Sequence, residues 1–277
     1  MKKLSFNFFI HPLTVIYLGI ALFTGRFSFL FIHLFVALIH ELFHVVVALF
    51  MKVRVNELSM LPFGFYARLE DVERKGFWCQ LWIYIAGPLS IFFSLFLMRV
   101  FYQIDLISYY GYQYGREACY IVCFFNLLPI YPLDGGRIMR LFCFRFLEEE
   151  KAHFISYILS LITTCFIFYR AIKSGQWVIA LFLIISQGQW IYLERKQYPL
   201  YLKLRRLQKK PNPIKISKKP SIYIYYDNYC WLKGKMIGEE EILQMKLEKW
   251  QKQHQKSKTK YAIKNFLSNF NKNKNIY

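Results

Sequence analysis

The sequence predicts an all-α polytopic membrane protein of about six transmembrane helices, with one short β-like re-entrant loop and a small basic cytoplasmic tail of α+β or partly disordered character. Three observations carry that reading. The 277 residues are 56% hydrophobic and 20% aromatic, a composition outside the range of ordinary soluble domains. Apolar runs long enough to cross a bilayer recur through the first two thirds of the chain. From residue 194 onward, 21 Lys and Arg face 6 Asp and Glu, a net +15 out of +20 for the whole chain, so the charge is gathered in a different material. The expected division is therefore a membrane-embedded domain over 1–194 and a basic C-terminal region over 195–277.

The first apolar span runs from about Phe6 to Phe23 and closes at Gly25 and Arg26. Lys2 and Lys3 give it the start of a signal peptide, but no small-residue cleavage site follows and a second span comes at once, so it is expected to be a retained helix. The second span, about Ser28 to Met51, holds His40, Glu41 and His44 inside the almost wholly apolar run from Phe31 to Phe50. On a helix, residues four apart share one face, so both imidazoles reach a single metal while Glu41 is directed at water beside it. Ionisable side chains at membrane depth cost about 3 kcal/mol each on insertion scales and rarely persist without a use. That spacing is the spacing of a zinc hydrolase. His33, seven residues before His40, reads as a helix-interface or polar-cavity residue rather than a ligand.

Between Lys52 and Gly76 the pattern changes to alternation around Val53 to Leu58, a break at Pro62 to Gly64, and more alternation through Leu69. Backbone that leaves helical form at membrane depth needs partners other than lipid, so this stretch is expected to be a strand pair or re-entrant loop. Pattern alone supports equally a substrate-pairing edge and a plain cytoplasmic connection. A third span, about Phe77 to Tyr102, contains Ala86-Gly87-Pro88-Leu89-Ser90, small and kink-prone residues that permit close helix approach. A loop with Asp105, Gly111 and Gly115 is expected next. The fourth apolar segment, Ala118 to Leu133, is short and is broken by Pro129 and Pro132, as in membrane segments that line sites.

Asp134 follows that break and is the natural third ligand, because catalytic zinc takes three protein ligands and keeps one position open. Gly135 and Gly136 would let the backbone turn so that the carboxylate faces inward. Asp134 also suits the cap of a helix carrying Ile138 to Leu147, and the two roles are compatible. A fifth span near Phe154 to Phe168 and a sixth near Trp177 to Leu193 complete the domain. Lys and Arg flank alternate ends of the spans, which predicts both termini on the cytoplasmic side and puts His40, His44 and Asp134 toward the cytoplasmic half. Six scattered cysteines form no C-x-x-C pair and imply packing residues without a disulfide framework.

Taken together, His40-Glu41-Leu42-Phe43-His44, Leu61-Pro62-Phe63-Gly64, Ala86-Gly87-Pro88 and the block from Asn126 to Arg137, NLLPIYPLDGGR, resemble the site-2 protease family of intramembrane metalloproteases (peptidase M50), and within it the sporulation type. The resemblance spans roughly residues 1 to 194. It implies one Zn2+ held by His40, His44 and Asp134, Glu41 as general base and acid, and Asn126 helping to orient the substrate. It also implies an integral protein of the bacterial cell membrane, on the mother-cell side if of the sporulation type, that cuts a membrane-associated protein such as a pro-sigma factor. Membrane-protein regulators or inhibitors are further implied partners. The family commonly has Gly where this chain has Phe43, and often Gly at Phe65, so substrate fit differs here. The alternative is a non-catalytic membrane scaffold or metal-binding regulator of the same fold, which has no need to keep Glu41 and all three ligands.

In the tail, Leu200 to Lys219 reads as a basic linker with Pro211, Pro213 and Pro220 at its end. A strand is expected at Ser221 to Tyr226, a turn at Asp227-Asn228, a second strand at Tyr229 to Ile237 and a helix from Glu239 to Gln255. The order is faintly similar to one end of a CBS domain, as a partial or degenerate unit. The basic charge is expected to lie against membrane lipids, and nucleic acid is not the expected partner even for the Lys-rich end from Lys256 to Tyr277.

Overall fold

The computed structural model describes residues 7–10, 12–25, 27–61, 64–70, 72, 75–174, 181, 183–192, 213–232 and 234–252. Lys2, Lys3, Arg26, Pro62, Phe63, most of the expected sixth span's first half, the basic linker up to residue 212 and the Lys-rich end from Lys256 lie outside the described residues. The chain forms two compact units, Met1–Gly188 and Gln189–Tyr277.

The first unit opens on strand β1 (Asn7–Ile10) and helix α1 (Pro12–Phe23), where a single helical span was expected. Two causes divide the run. Pro12 lacks an N–H and is at home in a helix's first turn, and the backbone before it pairs in parallel with strand β2 (Arg54–Leu61), Asn7 opposite Glu57 and Ile10 opposite Met60. Thr14 Oγ1 donates to the Met60 carbonyl at 3.0 Å and ties α1 to the same strand. Helix α2 (Phe27–Phe50) carries the two histidines, and β2 then turns into strand β3 (Gly64–Glu70), antiparallel to it. The sheet order is β1-β2-β3, so β2 is central and β3 is an edge.

Helix α3 (Phe77–Gln103) is followed by α4 (Tyr109–Asn126), α5 (Asp134–Phe146), α6 (Glu149–Ser174) and a helical stretch over 183–192, α7. Gly111 and Gly115, expected in a loop, lie inside α4. The hydroxyl of Ser108 accepts from the Gly111 amide and starts the helix early. Gly115 then permits close packing on α3, since a Cβ there would meet Met98 Sδ at 2.5 Å. Val36, Met98, Ala118, Cys119 and Val122 form the buried core where α2, α3 and α4 meet, and Val45 of α2 packs with Val55, Leu58 and Ala67 of the sheet. Cys119, Cys123 and Cys230 are buried as free thiols.

Among the described residues, three helices are long and apolar enough to cross a membrane: Phe27–Phe50, Phe77–Gln103 and Glu149–Lys173. Phe31, Phe92, Phe96 and Phe166 stand exposed on these helices, a ring-rich surface that only lipid covers without cost. The protein is a membrane protein.

The second unit contains β4 (Ile214–Ser217), β5 (Asp227–Leu232), β6 (Lys235–Ile237) and a helix over 239–252, α8. β4 and β5 are parallel, and β5 and β6 form a hairpin whose turn contains Gly234 at φ +80°. No strand forms at Ser221 to Tyr226, and Asp227-Asn228 begin β5 instead of making a turn. The cause is one side chain. Asn228 Nδ2 donates to the carbonyls of Tyr223 and Tyr226 and to Glu239 Oε2, while its Oδ1 accepts from the Tyr223 amide. Backbone groups that a ladder would have paired are satisfied by this side chain. Ile222, Cys230, Ile237, Ile242 and Leu243 close a small core of their own.

Candidate metal centre

One helical turn of α2 brings His40 and His44 to the same face, with ring centroids 5.0 Å apart and both side chains buried. The second ring is oriented by its other nitrogen. His44 Nδ1 lies 2.6 Å from the Ile83 carbonyl oxygen, which only accepts, so Nδ1 carries the proton and Nε2 keeps its lone pair in the neutral ring. The free Nε2 faces Nε2 of His40 at 3.3 Å.

Asp134 arrives from α5. Leu133 is the N-cap residue and makes no side-chain cap, so the capping role expected for Asp134 falls one residue away and its carboxylate is free to point inward. Oδ2 lies 3.0 Å from both histidine Nε2 atoms. Gly135 and Gly136 matter through packing: a Cβ on either would run into the carbonyls of Leu127 or Ile130, so only glycine lets the start of α5 close onto the preceding loop. Neither glycine has positive φ.

His40, His44 and Asp134 are thus the metal-competent group among the described residues, all buried, and their arrangement fits zinc. A lone pair on His44 Nε2 facing a carboxylate oxygen and a second imidazole is unfavourable in a low-dielectric interior unless a cation lies between them. Spacings of 3.0 to 3.3 Å approach the roughly 3.3–3.4 Å that separates ligands held about 2.0–2.1 Å from a tetrahedral centre. Gly87 of α3 backs the group, since a Cβ there would come within 2.6 Å of His40 Nε2 and closer still to His44 Nε2. Gly87 therefore makes room for the two imidazoles, beyond bringing helices together.

Glu41 turns from this group toward the sheet, where its Oε1 accepts from the Ala67 amide of β3 at 2.6 Å. Asn126 is the last residue of α4, and its described hydrogen bond runs from Nδ2 to the Val122 carbonyl at 2.9 Å, without joining the cluster. Phe43 packs on Phe93 of α3, and Phe65 packs among Leu30, Leu34 and Val45 of α2, so both rings fill helix and sheet contacts. His33 is outside the metal group.

Several groups at the site escape a reading of residue types. The Ile83 carbonyl and the Ala67 amide are backbone, with no sequence signal. Ser160, Thr164 and Gln187 carry a fainter one, as polar residues in apolar runs. Ser160 Oγ accepts from the Tyr131 amide at 3.1 Å and from Gln187 Nε2 at 2.8 Å, so α6 and α7 brace the loop that delivers Asp134. Arg137, one turn beyond Asp134, lies 5.7 Å above the ring of Tyr84.

Residues 28–118 match the sequence profile of Peptidase family M50. Stage IV sporulation protein FB of Bacillus subtilis (strain 168) is 29% identical over 211 residues, covering 72% of this chain and 73% of that protein. A zinc metalloprotease of Methanocaldococcus jannaschii is 33% identical over 142 residues, covering 50% of this chain and 41% of that protein. The solved structure of a site-2 protease from Methanocaldococcus jannaschii aligns with a TM-score of 0.53 at 25% identity, over 68% of this chain and 92% of that one.

Proposed function

We propose that this chain is a zinc metalloendopeptidase of the site-2 protease type, peptidase family M50, that cuts a membrane-associated protein within the bilayer, with His40, His44 and Asp134 as zinc ligands and Glu41 as general base and acid. The observation that carries the assignment is the convergence of three buried donor atoms within 3.3 Å of one another, with the one neighbouring carboxylate, Glu41, left outside the group.

Bound zinc supplies a Lewis acid that polarises the scissile carbonyl and lowers the pKa of water. The residues of the chain do the rest. His44, held by the Ile83 carbonyl, keeps its ring in one tautomer, and Gly87 leaves space beside it. Glu41 takes a proton from the attacking water and returns it to the leaving amine. Asn126 orients the substrate carbonyl after its amide leaves Val122, and Arg137 supplies fixed positive charge one turn from Asp134.

A transmembrane helix hides its carbonyls in its own hydrogen bonds, so the substrate unwinds before cleavage. β3 offers the extended segment a strand edge, and main-chain pairing makes little demand on sequence. β2, which contains Val55, is the central strand, so pairing is assigned to the β3 edge and not to the Val53–Val55 alternation. The remaining features of the proposal are six spans with both termini cytoplasmic, a membrane domain over 1–194, a basic region over 195–277 lying against lipid with a partial CBS-like unit, and a pro-sigma factor as the substrate of a sporulation-type enzyme. Similarity to the stage IV sporulation protein FB supports the last of these.

The test is co-expression of wild type and Glu41→Gln at matched levels with a panel of membrane-associated proteins that includes a sigma-factor pro-sequence. A product formed by wild type alone, with its new terminus inside or beside the membrane segment, supports the protease. Identical products from both variants overturn the assignment of Glu41.

A further inference from the structure

β3 is the outer strand of its sheet, and β2 occupies its other side. Amides of alternate residues on a strand point to the same edge, so the Ala67 N–H that is directed away from β2 shares its edge with those of Phe65 and Leu69. That N–H is already engaged, by Glu41 Oε1 at 2.6 Å, a short charge-assisted bond. The catalytic carboxylate therefore sits where the carbonyl of an added strand would sit.

The two partners differ in freedom. Ala67 is packed in the buried cluster with Val45, Val55 and Leu58, which fixes β3 against α2. The Glu41 backbone is fixed by its place between two ligand-bearing positions of one helix, but its side chain turns about three bonds. An exchange at this bond moves the side chain and leaves the strand where it is. One N–H also serves one acceptor well, so a second acceptor at the Ala67 amide displaces the first.

Resting on the strand-pairing reading above, we propose that the Ala67 amide is a substrate-operated latch on Glu41. With the β3 edge empty, the amide holds the carboxylate. When the unwound substrate pairs with β3, a substrate carbonyl takes over the Ala67 N–H, and Glu41 is released beside the scissile bond it must serve. Water thus meets a free base only when a peptide backbone is present, and Ala67 acts as a positioning residue through its backbone.

The test uses the zinc-loaded full chain in detergent micelles and two peptides with the same scissile bond, one short and one extended to match the seven residues of β3. The latch predicts that extension raises kcat by about 10-fold or more, the ratio carried by one hydrogen bond to a charged group, as well as lowering KM. Ala67→Pro, which removes the N–H at an edge position where proline is tolerated, is expected to raise kcat for the short peptide and abolish the dependence of kcat on length. A second readout needs no turnover. Hydrogen–deuterium exchange at the Ala67 amide should accelerate about 10-fold or more in Glu41→Ala, and the extended peptide should restore protection. If extension lowers KM and leaves kcat unchanged, strand pairing stands and the latch is wrong. If length changes neither constant, the strand-pairing reading itself fails. Equal Ala67 exchange in wild type and Glu41→Ala overturns the latch however the variants fold.

Discussion

His40 and His44 are held by helices on three sides, whereas Glu41, between them on the same helix, is held by a strand. The proposed ligand group is buried, draws on α2 and α5, and is backed from α3 by the Ile83 carbonyl and the missing side chain of Gly87. Glu41 has one described hydrogen bond, to the edge of a three-stranded sheet. A metal site needs donors that do not move, and a general base needs a group that releases and accepts in each cycle. Close-packed helices supply the first and a strand edge supplies the second.

The largest effect should come from breaking the helical side. His44→Ala or Asp134→Ala removes a ligand, and zinc affinity measured by competition with a chelator should fall beyond the ~10–100-fold typical of an outer-shell partner, with loss of cleavage. Glu41→Gln should separate the two regions cleanly: kcat falls by about 10²- to 10⁴-fold while metal analysis finds zinc content unchanged. Gly87→Ala tests the cradle from the opposite side. The added Cβ presses on both imidazoles, so zinc affinity should drop by about 10–100-fold with little change in helix content by circular dichroism. The smallest effect is expected from Ser160→Ala, which removes the hydroxyl that accepts from the part-buried Tyr131 amide. Unfolding in mild detergent should show a loss of about 1–3 kcal/mol, with zinc affinity changed less than in Gly87→Ala.

The helical side was legible in the sequence and the strand side largely was not, for a physical reason. His40 and His44 announce themselves because helix periodicity converts a spacing of four into a shared face, and Asp134 because two prolines and two glycines isolate it after an apolar run. The alternation from Val53 to Leu69 shows that strands form. It does not show that β1 joins them, because a run such as Phe6 to Phe23 reads as one apolar helix until Pro12 and the pairing with β2 divide it. Gly111 and Gly115 suit a loop, because glycine weakens helices, yet the Ser108 cap starts α4 ahead of Gly111 and the close packing of Gly115 on Met98 of α3 overrides that weakness. In the second unit, local alternation at Ser221 to Tyr226 loses to the Asn228 side chain, a tertiary contact that alternation does not encode. Contacts made by backbone atoms, such as those of Ile83 and Ala67, leave no mark on residue type.

On the proposed function, the buried trio holds a zinc on which cleavage depends, with Glu41 as the base. The most direct test is cleavage of one membrane-anchored substrate by purified wild type and Glu41→Gln, before chelation, after chelation and after zinc is returned, with zinc counted per chain at each step. One zinc per chain is expected in both proteins, with activity in wild type alone, loss of that activity with the metal and recovery when zinc is restored. Cleavage that persists without zinc, or that Glu41→Gln performs as well as wild type, would contradict that function.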